Sequence, residues 1–228
     1  MMLVIPRVLE PAALQEVRSL LEAPRAEWVD GRTTAGHQGA QVKVNEQIDE
    51  RSPTAARCQA IVAAALERNP TFISAALPNV LYPPMFNRYA GEMQFGAHVD
   101  GGVRLHPHDG RKLRTDLSAT LFLADPDSYD GGELVVEGPS GVSSVKLPAG
   151  DMVLYPATTL HRVTPVTRGV RLGCFFWVQS LVRDAADRQL LYELDGAIQR
   201  LAVAAADEAA RVTLVGVYHN LLRKWSDT

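Results

Sequence analysis

The chain has 228 residues, with 23 Lys and Arg against 26 Asp and Glu, 46% hydrophobic residues and two cysteines. That apolar share excludes a disordered chain, and the formal net charge of −3 excludes nucleic acid or an anionic membrane as the default partner. Cys58 and Cys174 form neither a C-x-x-C pair nor a disulfide framework, and each sits among apolar neighbours. They read as buried, unreactive thiols of a reducing compartment.

The amino terminus, MMLVIPRVLEP, is apolar only up to Pro6 and lacks a basic n-region. No stretch reaches the ~18 apolar residues of a membrane span, so the sequence predicts a cytoplasmic protein. Residues 11–23 (PAALQEVRSLLEA) predict an amphipathic helix with Leu14, Val17, Leu20 and Leu21 on one stripe. A second helix opens at Ser52-Pro53, a cap residue followed by Pro in the first turn, and runs to about Arg68. Between the two, GRTTAGHQGAQVKVNEQ reads as a Gly-rich loop leading into a strand.

From Val80 to about Ser180 the periodicity changes. Short β-prone runs (NVLYPPMFNRY, FGAHVD, DLSATLFLAD, GELVVEG, SSVKLPA, DMVLYP, HRVTPV, VRLGCFFWVQS) are separated by Gly- and Pro-containing turns. Gly131-Gly132-Glu133 is one such turn and not a phosphate loop, since no helix follows it. Roughly eight strands without intervening helices predict an antiparallel sandwich or barrel. After Arg183 the pattern returns to helix. Leu190, Leu194, Ile198 and Leu201 share one face, and Leu214, Tyr218, Leu221 and Trp225 another; such stripes serve core packing or a homodimer. The expected organisation is a support region over 1–79, a β core over 80–183 and a helical region over 184–228.

Within the β region, His98-Val99-Asp100 places an imidazole and a carboxylate two residues apart, on one face if both lie in a strand. That is two-thirds of the 2-His-1-carboxylate triad of non-haem Fe(II) oxygenases; a His–Asp hydrogen bond at a strand end is the plain alternative. His161 follows DMVLYPATTL, and ten residues later Arg171 opens VRLGCFFWVQ, where alternation groups Arg171, Gly173, Phe175 and Trp177. A guanidinium inside an apolar barrel needs an anion, and its planar fork suits a carboxylate; pairing with a core Asp or an outward orientation is the alternative.

With these residues in place, the stretch 80–183 resembles the Fe(II)- and 2-oxoglutarate-dependent dioxygenases of the prolyl/lysyl hydroxylase type. The whole chain resembles the bacterial PKHD-type hydroxylases. The resemblance is carried by FNRYAGEMQFGAHVDGGVR, RTDLSATLFLADPDSYDGGELVV, VKLPAGDMVLYPATTLHRVTPVTRGVR and the terminal VYHNLLRKW. It implies an α+β fold with a double-stranded β-helix (jelly-roll, cupin-like) core of about eight antiparallel strands, flanked by N- and C-terminal helices. It also implies Fe(II) held by His98, Asp100 and His161, and 2-oxoglutarate held through its distal carboxylate by Arg171. Tyr89 matches a tyrosine that contacts the cosubstrate in prolyl hydroxylases, and Trp177 an aromatic lining the same pocket; core packing is the other reading for both. Prolyl hydroxylases often carry Lys where Arg171 stands, and Arg adds bidentate geometry.

The implied reaction consumes O2 and 2-oxoglutarate, releases succinate and CO2, and hydroxylates an unactivated C–H of a prolyl- or lysyl-like side chain or a small molecule. L-Ascorbate as reductant and a link to bacterial iron uptake follow from the same resemblance. The expected partner is a peptide or small-molecule substrate. Two other functions compete: a cupin-like metal-binding protein, and an interaction protein responsive to iron or 2-oxoglutarate. A single H-x-D and the presence of Arg171 speak against the cupin. His106-Pro107-His108 falls in GGVRLHPHDGRKLRT, which reads as a solvated loop; its Arg104, Arg111, Lys112 and Arg114 could also form a lid over residues 101–115 for an acidic substrate.

Overall fold

The computed structural model describes residues 1–138, 141–204 and 207–227. In chain order, β1 (Leu3–Ile5) leads to helix α1 (Pro11–Leu21), then β2 (Trp28–Asp30). The Gly-rich stretch that follows is more structured than the predicted loop: a 3-10 turn at Gly31–Thr34, the single-turn α2 (His37–Ala40), then β3 (Lys43–Val44) and β4 (Glu46–Ile48). Asp30 starts the 3-10 turn by accepting from the Arg32 N–H at 2.9 Å, a side-chain cap that composition alone does not announce.

Helix α3 (Pro53–Glu67) begins as predicted, the Ser52 hydroxyl accepting from the Ala55 N–H at 3.0 Å. Helix α4 (Pro70–Ala76) opens by the same device: Asn69 accepts from the Phe72 N–H at 2.9 Å and Pro70 fills the first turn. The first β run divides into β5 (Pro78–Leu81) and β6 (Met85–Ala90), because Pro83 and Pro84 have no N–H for a ladder. Then come β7 (Gln94–His98), β8 (Val103–Leu105), β9 (Lys112–Arg114) and β10 (Leu117–Phe122). The stretch expected as a solvated loop is thus a β8–β9 hairpin, with Val103, Arg104 and Leu105 paired to Arg114, Leu113 and Lys112.

The remaining strands are β11 (Asp130–Gly131), β12 (Leu134–Gly138), β13 (Gly141–Val145), β14 (Met152–Pro156), β15 (Leu160–Val163), β16 (Val166–Arg168) and β17 (Val170–Ser180). With the earlier strands most of them build two facing antiparallel sheets, a jelly-roll, while β11 pairs with β16 in a separate two-stranded sheet. The larger runs β1-β14-β10-β17-β6-β4-β2, with β5 added along β17; the smaller runs β13-β12-β15-β7-β3. Strands from the first fifty residues therefore extend both sheets.

β17 is buried on both faces. Leu172, Cys174, Phe176 and Val178 meet the helical layer, where α3 buries Ala55, Cys58, Val62 and Leu66 and Phe72 of α4 lies edge-on to Phe176 at 6.4 Å. The alternate residues face the space between the sheets. Both thiols are fully buried, as expected; desolvation pushes Cys58 up to about 12 and Cys174 well above its ordinary value.

Helices α5 (Ala185–Val203) and α6 (Glu208–Trp225) pack against each other beyond α4. On α5 the buried residues are Arg188, Leu191 and Ile198: Ile198 belongs to the predicted stripe, whereas Leu190 is 54% exposed and its neighbour Leu191 packs on Leu77 and Val182 instead. Tyr218, Leu221 and Trp225 of α6 pack against the same cluster. No helix among the described residues is long and apolar enough to cross a membrane.

Candidate metal centre and its pocket

His161 on β15 is the register partner of His98 at the end of β7, and their ring centroids are 4.2 Å apart. Asp100 lies beyond the end of β7, so it reaches the histidines by a turn of the chain rather than by strand alternation. Its Oδ1 is 4.0 Å from His98 Nε2 and its Oδ2 3.8 Å from His161 Nε2. One ligand atom from each of the three residues lies within 4.8 Å of the others.

Each imidazole is fixed through its other nitrogen. His98 Nδ1 meets the Gly96 carbonyl at 2.8 Å, and His161 Nδ1 the Thr159 carbonyl at 3.1 Å. A carbonyl only accepts, so both Nδ1 atoms carry the proton and both Nε2 atoms are left as lone-pair donors. Burial, and then the adjacent His161, lower His98 to about 4, which keeps it neutral; its ring stacks on Phe95 with centroids 3.6 Å apart. The Ser118 hydroxyl donates to Asp100 Oδ2 and orients that carboxylate. Two imidazole nitrogens and one carboxylate form a hard N/O set that suits Fe(II) and leaves coordination positions open, so these residues fit the metal.

The three residues open on a cavity of about 390 Å³ between the sheets, also lined by Tyr89, Arg171 and Trp177. Arg171 is 2% exposed and pairs in register with Tyr89, its guanidinium 5.2 Å from the Tyr89 ring centroid and 5.4 Å from that of Phe122. Among the described residues no carboxylate forms an ion pair with it, and its Nε has no hydrogen-bond partner. An uncompensated buried cation costs several kcal/mol or more, on the order of the effective desolvation of an ion, and a carboxylate held by two parallel N–H bonds would remove that cost.

Two glycines make room for it. A Cβ at Gly132, where φ is +68°, would stand 2.9 Å from Arg171 Cδ, and one at Gly173 would stand 3.2 Å from Nη1. Burial holds the Tyr89 phenol above its ordinary range, leaving it a neutral donor. Trp177 is edge-on to Tyr82 and Phe175, centroids 5.4 and 5.6 Å away.

Six predicted residues thus line one cavity. His106 and His108 do not. Rather than being solvated, His106 is held inside the hairpin with Nδ1 3.2 Å from Asp109 Oδ1 and its side chain 12% exposed. Of the four cations suggested for a lid, Arg114 pairs with Asp116 at 2.7 Å, Arg111 with Asp109 at 3.1 Å, and Lys112 is exposed. Only Arg104 lines the cavity. Sequence reasoning missed Lys43, Ser118 and the role of Gly132. Lys43 had a signal, the alternation Lys43-Asn45-Gln47 of polar residues opposite Val44 in a stretch of strand.

Residues 84–179 match the sequence model of the 2OG-Fe(II) oxygenase superfamily, and residues 185–227 that of the PKHD-type hydroxylase C-terminal domain. A PKHD-type hydroxylase of Cupriavidus metallidurans is 66% identical over 228 residues, the full length of both chains. Among solved structures, the non-heme alpha ketoglutarate dependent carbocyclase SnoK from nogalamycin biosynthesis superposes with a TM-score of 0.55 at 17% identity, over 79% of this chain and 80% of that one. A prolyl hydroxylase from Trichoplax adhaerens, in complex with a hypoxia inducible factor peptide fragment, gives 0.54 at 15% identity, over 83% and 86%. At such identities the two structures speak to the fold alone.

Proposed function

The chain belongs to the PKHD-type hydroxylases, Fe(II)- and 2-oxoglutarate-dependent oxygenases, and from that membership we propose that it hydroxylates an unactivated C–H of its substrate at the centre formed by His98, Asp100 and His161. The observation that carries this reading is the juxtaposition of that donor set with Arg171, a buried guanidinium without a carboxylate partner among the described residues, in one cavity. A metal-binding protein with no cosubstrate would leave Arg171 unexplained.

Bound there, iron(II) supplies the redox chemistry that couples decarboxylation of 2-oxoglutarate, yielding succinate and CO2, to activation of O2. The residues of the chain do the positioning. His98 and His161 present Nε2 because their Nδ1 protons are committed to backbone carbonyls, and Asp100 is steadied by Ser118. Arg171 takes the distal carboxylate of the cosubstrate, with Tyr89 as a neutral donor beside it. Phe95, Phe175 and Trp177 supply apolar wall beside the metal ligands. L-Ascorbate fits as an external reductant that maintains the ferrous state and requires no dedicated residue. The expected link to iron uptake concerns the cell rather than this site.

Mass spectrometry of cell extract incubated with the enzyme tests the reading. A product heavier by one oxygen, about 16 Da, should form only when both iron(II) and 2-oxoglutarate are added. Products of desaturation or ring closure without oxygen gain would replace hydroxylation by another oxidation.

A further inference from the structure

Lys43 and Arg104 are two further cations in the wall of this cavity, and neither forms an ion pair among the described residues. Lys43 is 3% exposed; its ammonium donates to Gln47 Oε1 at 2.7 Å and to Thr34 Oγ1 at 3.2 Å, and lies 5.2 Å from the Phe95 ring centroid and 5.6 Å from that of Phe175. Arg104 reaches in from the β8–β9 hairpin, its guanidinium 4.1 Å from the Trp177 ring centroid, its Nη2 3.5 Å from the Thr34 carbonyl oxygen and its Nε without a partner. Both cations therefore converge on one residue, Thr34. Glu50 interacts with both at longer range but is not among the residues lining the cavity.

The polarity of the segment that carries Lys43 is inverted: Lys43, Asn45 and Gln47 are buried while Val44 is 54% exposed, and of these Lys43 lines the cavity. Two like charges side by side in a largely buried site oppose folding unless an anion joins them. The cosubstrate does not supply that anion. A divalent metal, the Asp100 carboxylate, dianionic 2-oxoglutarate and Arg171 balance one another, which leaves Lys43 and Arg104 with Glu50, outside the cavity lining, as a longer-range counter-charge and with no anion inside the cavity.

Resting on the oxygenase reading, we infer that Lys43 and Arg104 form a second anion site that binds a carboxylate carried by the primary substrate. The substrate class is thus an organic acid or an acidic side chain, with aromatic walls from Trp177 and Phe175 for its apolar part. Lys43 is the deeper contact, beside Phe95 and His98; Arg104 closes the site from the hairpin.

The test uses the full chain loaded with Mn(II) and saturating 2-oxoglutarate, which permits binding without turnover. Ligand-observed fluorine NMR follows 4-fluorophenylacetate and 4-fluorobutyrate, each beside its own carboxamide, with paramagnetic broadening reporting proximity to the metal. At least one acid should broaden in a Mn(II)-dependent way and bind about tenfold or more tighter than its amide, roughly the value of one charge-assisted contact. Lys43→Met and Arg104→Gln should each erase that preference while the affinity for 2-oxoglutarate, measured by calorimetry, changes less than about twofold. Equal binding of acids and amides, or no broadening by either acid, overturns the inference. So does a loss of 2-oxoglutarate affinity in Lys43→Met as large as the loss of acid binding, since the cation would then serve the cosubstrate. Failure of the wild-type protein to bind Mn(II) and 2-oxoglutarate at all would be a separate result, and would remove the oxygenase reading itself.

Discussion

Arg171 sits 2% exposed between Tyr89 and Phe122, its charge unmatched by any carboxylate among the described residues. Arg171→Met should therefore weaken 2-oxoglutarate binding by about 2–5 kcal/mol, thirtyfold or more, in calorimetry of the metal-loaded protein. Ser118 acts one step away: it touches Asp100 and not the metal. Ser118→Ala should lower metal affinity about 10–100-fold in a chelator competition.

Lys43 exposes the cost of a buried cation through pH. Burial, and then Arg104, lower it from 10.5 to about 8, so the folded chain binds fewer protons than the unfolded chain between those values. Below pH 8 the penalty for burying the charge is fully present, and it disappears as pH rises through 10.5. Relative to Lys43→Met, the metal-free wild type should gain about 3 kcal/mol of stability across that window, read from urea midpoints. The His, Asp and Arg of the centre were legible because their types and spacing are chemically specific. Lys43 was not, because alternating polar residues on a strand normally mark the solvent face, and here that face is buried, with Lys43 in the cavity wall.

Among the elements, β17 does most to join fold and site: one face carries the core against α3 and α4, the other carries Arg171, Phe175 and Trp177. Its alternation was readable, as was the capping of α3. The hairpin β8–β9 was missed because charged and His-rich residues masked its pairing. Asp100 was assigned to a strand that ends at His98, since strand ends depend on hydrogen bonds to a partner that sequence does not reveal. Leu190 was placed in the α5 stripe where Leu191 belongs, because the two are adjacent and only packing chooses between them.

The turn at Gly131-Gly132 was recognised, but not its task of clearing space for Arg171. Gly132→Ala puts a methyl group at φ +68° and 2.9 Å from both Arg171 Cδ and Val166 Cγ2. It should cost about 1–2 kcal/mol of stability and also raise the dissociation constant for 2-oxoglutarate, whereas a purely conformational effect would leave that constant unchanged.

Across the whole molecule, two sheets hold a metal-type donor set, the buried Arg171 guanidinium and a second pair of cations within one cavity. The jelly-roll does not choose the substrate: the same fold serves a carbocyclase and a prolyl hydroxylase among the superposed structures. Joint action of His98, Asp100, His161 and Arg171 on 2-oxoglutarate is tested most directly by succinate formed from it in air, with iron(II) and cell extract as the source of substrate. The wild type should form succinate only with iron, His98→Ala none at any 2-oxoglutarate concentration, and Arg171→Met only as 2-oxoglutarate is raised well beyond the wild-type requirement. Succinate formation by His98→Ala at the wild-type rate, or none by the wild type with iron present, would contradict the assignment.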